Sequence, residues 1–110
     1  MPHLKIRGIE KSLIVENSKE IIDGLTDIIK CDREWFTLEC NSTEYIFDGK
    51  IVEGFTFIEL YWFDRGEEVK KQTADFLIKL IKRINNDKDC TVIFFPLTGD
   101  NYCENGEFFG

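Results

Sequence analysis

Met1-Pro2-His3-Leu4-Lys5-Ile6-Arg7-Gly8 opens the chain. Leu4 and Ile6 alternate with His3, Lys5 and Arg7, the period-two pattern of a strand with one buried face. The spacing predicts a strand over residues 2–7, broken by Gly8. The same stretch carries a chemical feature. Proline follows the initiator methionine directly, so removal of Met1 leaves Pro2 as a free secondary amine at the edge of a sheet.

Working outward, residues 11–30 read as a helix. Ile14, Ile21, Ile22, Leu25, Ile28 and Ile29 fall on one stripe, with Ser18 at a small site within it. Gly24 interrupts that stripe at a cost of about 1 kcal/mol relative to alanine. A close approach of the helix to the sheet would explain it; the plainer reading is simple tolerance of the glycine. Residues 35–40 then alternate, with Phe36, Leu38 and Cys40 on one face and Trp35, Thr37 and Glu39 on the other. Strand, helix and strand make a βαβ unit, whose crossover is right-handed if the strands pair.

The second half repeats this order. Residues 43–47 and 51–52 flank Asp48-Gly49, a strong hairpin signal. Residues 55–63 form the strongest strand in the chain, aromatic or β-branched throughout apart from Glu59 and Leu60. A second helix follows and runs to Ile84, with Asp64 expected as its N-cap and Glu67 at capping-box spacing. Val69, Thr73, Ala74, Phe76, Leu77, Leu80, Ile81 and Ile84 mark its apolar side. Residues 90–97 read as a last strand, and the tail, 98–110, shows no clear period. The fold expected is therefore α/β of two layers (α+β). Two β-α-β units form a four-stranded mixed sheet with both helices on one face, plus a small β-hairpin.

The 110 residues fit a single domain spanning 1–110. Hydrophobic residues are 43% and charged residues 32%, as in a folded domain rather than a disordered chain. A formal net charge of −7 argues against a nucleic-acid backbone or an anionic membrane as partner. No apolar run reaches membrane-spanning length and no secretory leader is legible. The expected location is the cytoplasm, with the four cysteines as reduced thiols. Their spacing gives no zinc motif, so no metal is expected.

Two helices cover only one face of such a sheet. On the other face the third strand carries Phe57, Glu59 and Tyr61, and the fourth strand is apolar on both sides. A soluble monomer rarely exposes such a patch. Self-association through the uncovered faces is therefore expected, with Lys5, Arg7, Glu39 and Glu59 pairing within or across it. The alternative is that the tail and hairpin cover the patch.

The order β-α-β-β-α-β also fits a ferredoxin-like regulatory domain. The N-terminal segment points elsewhere. Met-Pro-His-Leu at the head of two βαβ halves resembles the tautomerase superfamily, which includes macrophage migration inhibitory factor. Three segments, MPHLKIRGIEK, FIELYWFDRGEEV and FFPLTGDNYCENGEFF, are similar to an uncharacterised bacterial family of that superfamily.

The resemblance implies a homotrimer with sites between subunits and a general-base role for Pro2. It also implies a small keto or enol carboxylate as substrate, and no cofactor. Arg65 matches an arginine that holds the substrate carboxylate in some relatives. Lys11 stands near the position of another such arginine, with Arg7 as its substitute, and Tyr102 is a candidate ligand contact from the tail. The plainer reading of Arg65 is a capped-turn residue paired with Glu68. An amine capped by Met1 cannot act as the base. The alternative function is therefore a catalytically silent module of the same fold that binds a small molecule or assembles.

Overall fold

The computed structural model describes all residues, Met1–Gly110. Its order is β1 (His3–Arg7), α1 (Lys11–Ile29), β2 (Thr37–Asn41), β3 (Tyr45–Phe47), β4 (Lys50–Val52), β5 (Thr56–Trp62), α2 (Glu67–Ile84), β6 (Cys90–Pro96), β7 (Cys103–Glu104) and β8 (Glu107–Phe108). The main sheet runs β2-β1-β5-β6. β1 is parallel to β2, β5 is parallel to β6, and β1 meets β5 antiparallel with His3 opposite Tyr61 and Arg7 opposite Phe57. The two strands of each βαβ unit are thus neighbours. That departs from the split units of the ferredoxin-like alternative.

Alternation sorts the strands as expected. Leu4, Ile6, Ile58, Leu60 and Trp62 point to the helices and are buried. From α1 come Ile14, Ile21, Leu25 and Ile29, and from α2 Leu77, Leu80 and Ile81. Gly24 does not bring α1 close to the sheet. A Cβ there would sit 2.1 Å from Cζ of Phe76, so the missing side chain makes room for a ring of α2. The contact is between helices.

Asp48 and Gly49, at φ 54° and 75°, make the expected tight turn between β3 and β4. Two expectations change at element ends. The strand expected from residue 35 begins at Thr37, because Arg33–Trp35 form a 3₁₀ turn in which Asp32 Oδ1 accepts from the Glu34 N–H at 3.1 Å. The capping box at α2 does not form either. Gly66 occupies the N-cap, and Asp64 Oδ1 accepts from its N–H at 2.8 Å, so Asp64 closes a turn just before the helix. The tail is ordered as a short hairpin, β7–β8.

The uncovered face carries Tyr61 stacked on Phe95, with ring centroids 4.5 Å apart and planes at 12°. Arg7 lies over the Phe57 ring, 4.2 Å from its centroid, and donates to Glu59. Glu59 also accepts from the Tyr61 hydroxyl at 2.8 Å. Tyr61 and Arg7 hold its carboxyl below the usual range. The tail and hairpin leave this face open: Ile93 and Phe95 stay more than one third exposed.

Candidate functional site

β1 and β5 are antiparallel, so the end of β5 lies beside the start of β1. Arg65, just beyond β5, is thereby brought to the chain start. The tail after β6 returns to the same end. A cleft of about 570 Å³ forms there, lined by Met1, His3, Phe63, Arg65, Tyr102 and Phe109 among others.

The floor of the cleft is the chain start. Pro2 is fully buried, and its carbonyl accepts from the Thr37 N–H at 3.1 Å. Met1 is 9% exposed. Burial holds the Met1 ammonium below the ordinary α-amine value, opposed by Cys31 and Glu104 and aided by the Arg65 charge.

One wall is aromatic. Tyr102 meets Phe63 edge-on at 5.6 Å and Phe109 at 4.8 Å. The tail is held there by backbone bonds from the Phe109 N–H to the carbonyls of Gly99 and Tyr102, each 3.1 Å. Tyr102 is further tied to β1, since His3 Nε2 lies 2.9 Å from its hydroxyl and His3 Nδ1 lies 2.5 Å from Thr37 Oγ1. Burial lowers the His3 pKa, with the N-terminal ammonium adding to the effect and Glu104 and Glu39 opposing it, which favours the neutral ring. Burial and Glu104 raise that of Tyr102.

Arg65 makes no ion pair. Its guanidinium donates to the Phe63 carbonyl, not to Glu68. That bond leaves most of its five donors uncommitted. A planar cation beside a partly apolar wall suits a carboxylate, which it can bind through two parallel hydrogen bonds.

Of the residues singled out in the sequence, Arg65 and Tyr102 line this cleft, and Pro2 lies buried next to Met1, which lines it. Arg7 and Lys11 do not join them within one chain. Arg7 ends β1, about 17 Å from Pro2 at strand rise, and Lys11 begins α1 beyond it. Arg7 is engaged with Glu59 there, and Lys11 lines a separate hollow of about 910 Å³ beside the β3–β4 hairpin. The sequence alone does not assign Phe63, Phe109 or Thr37 to the site; it allows His3, beside Pro2, either to orient a ligand or to be an ordinary strand-edge residue. The signal for His3 was its position in the strand beside Pro2.

The fold and site can be set beside known proteins. No curated protein matches the sequence. A crystal structure of a domain of unknown function from Sebaldella termitidis is 38% identical, with TM-score 0.92, covering 99% of this chain and 100% of that one. A macrophage migration inhibitory factor-like protein from Entamoeba histolytica is 20% identical, with TM-score 0.76 and 98% of each chain covered. A fused 4-OT, described as an asymmetric trimer, is 12% identical, with TM-score 0.83, 96% of this chain and 94% of that one covered. The last two share the fold, which is that of the tautomerase and migration inhibitory factor proteins. The family described as "Domain of unknown function (DUF1904)" matches residues 1–108. With nearly every residue matched, the resemblance read from the three sequence segments has a name: the chain belongs to the DUF1904 family.

Proposed function

We propose that the cleft is a tautomerase-like site whose base is the amine of Pro2, freed by removal of Met1. It moves a proton next to the carbonyl of a small keto or enol carboxylate. The observation that supports this most is the meeting, in one cleft, of a buried chain start and an arginine without an ion pair. Removing Met1 would free the Pro2 nitrogen toward the space that Met1 now fills, in the cleft that Arg65 also lines. At the present Met1 amine, burial is the largest influence and favours the neutral form, Arg65 adds to it, and Cys31 and Glu104 oppose it. The same desolvation would favour the neutral Pro2 amine, the form that can take a proton. Arg65 holds the carboxylate and Tyr102 contacts the ligand.

Self-association belongs to the same reading. The open aromatic face calls for cover, and the fused 4-OT that shares the fold is a trimer. In such an assembly, Arg7 or Lys11 could reach a cleft only from a neighbouring copy.

Mass spectrometry of protein produced in its native host is the first test, followed by phenylpyruvate ketonisation by wild type and Pro2→Ala. A general base contributes about 10²–10⁴-fold, so Pro2→Ala is expected to lose at least a hundredfold. Fully retained Met1, or equal rates, would remove Pro2 as the base. One observation favours a second reading, a silent binding or assembly module: Met1 is itself nearly buried and fills the floor of the cleft.

A further inference from the structure

The tie between the first strand and the tail does more than hold two segments together. Thr37, His3 and Tyr102 form a hydrogen-bonded row with links of 2.5 Å and 2.9 Å. A neutral ring carries one proton and each hydroxyl carries one. Three protons thus serve two links, and one proton is left at an end of the row. It is left either on Thr37 or on Tyr102, both of which line the cleft.

We infer that His3 is a positioning residue of the cleft: Thr37 donates its hydroxyl to Nδ1, the ring donates from Nε2 to the Tyr102 oxygen, and the Tyr102 hydroxyl is left free to donate to an oxygen of a bound ligand. The surroundings select this order. Glu34 and Glu104 also line the cleft. In the reverse order Tyr102 would give its proton to His3 and turn only lone pairs toward Glu104, whose charge acts on it, which is repulsive. In the inferred order an O–H dipole faces that carboxylate instead. Tyr102 keeps its proton near neutral pH because burial and Glu104 both disfavour the phenolate. The cleft then offers a carboxylate-binding cation at Arg65 and a separate neutral donor at Tyr102. That pairing suits a ligand carrying both a carboxylate and a carbonyl or enol oxygen.

The inference rests on the proposed reading of the cleft, but its test needs no ligand. His3 is the only histidine of the chain, so ring-¹⁵N labelling gives two signals, both from His3. At pH 7 the ring is expected to be neutral with its proton on Nε2. Thr37→Val removes the donor to Nδ1 at an exposed position, and is expected to move a sizeable share of the proton to Nδ1 with the backbone amide spectrum otherwise unchanged. A wild-type ring protonated on Nδ1, or a Thr37→Val ring identical to wild type, would overturn the assignment. The ketonisation assay fails or succeeds independently of these signals, so the two readings can be told apart.

Discussion

The two faces of the main sheet come from alternate residues of the same four strands, and they are finished differently. Toward the helices, β5 presents Thr56, Ile58, Leu60 and Trp62, each at most 1% exposed. Away from them it presents Phe57, Glu59 and Tyr61, all partly exposed. The strands alone do not decide which side is core. Two helices supply the cover on one side, and nothing in the chain supplies it on the other. The closed face carries the stability of the single chain, and the open face is where a second copy would be felt.

Substitutions can break that comparison, and the closed face should give the largest effect. Leu60→Ala leaves a cavity at the middle of the sheet and is expected to cost about 2–5 kcal/mol, read from urea unfolding. A loss below 1 kcal/mol would mean that the helix-side core is looser than described. Charging the open face should act on assembly instead. Phe95→Asp, in the aromatic stack with Tyr61, is expected to bring the sedimenting mass down to the 12.9 kDa of one chain while circular dichroism is kept. An unchanged oligomer would place the interface elsewhere, and a monomeric wild type would remove the proposed association. A smaller effect is expected at the one buried side-chain polar atom lacking a hydrogen-bond partner, Thr73 Oγ1, on the core side of α2. Thr73→Val keeps the shape and drops the unsatisfied hydroxyl. It is expected to raise stability by about 1 kcal/mol, and a loss of that size would show that the hydroxyl is in fact bonded.

The closed face was the most legible part of the sequence. Alternation in β1 and β5 and the helical stripes of α1 and α2 set both the elements and their inward sides. What stayed hidden depends on contacts between distant residues. Gly24 looked like a helix–sheet contact until Phe76 of α2 was seen to occupy the space above it. Asp64 has a good N-cap identity, yet its carboxylate serves the Gly66 N–H. The tail hairpin had a local signal in Asn105-Gly106, both at positive φ. Strands of two residues on either side are too short to show alternation.

The cleft divides in the same way. Pro2 and Arg65 stood out by type and motif, and antiparallel pairing of β1 with β5 explains why they meet. The bond between His3 and Tyr102 joins residues at opposite ends of the chain, and no local pattern encodes it. Arg7 shows the converse. Its residue type fitted the site, but it stands at the wrong end of its strand to reach the cleft of its own chain, and a carboxylate on β5 engages it.

The floor of the cleft is expected to make the freed amine of Pro2 a weaker base than the same amine in water. The direct measurement is an NMR titration of the Pro2 nitrogen in protein lacking Met1, run folded and again in concentrated urea. The folded amine is predicted to lose its proton at lower pH than the unfolded one, because burial penalises the ammonium more than the nearby Glu104 favours it. By linkage, the folded state should then lose stability as pH falls from the unfolded amine's pKa through the folded one. A folded value equal to or above the unfolded one would contradict the account.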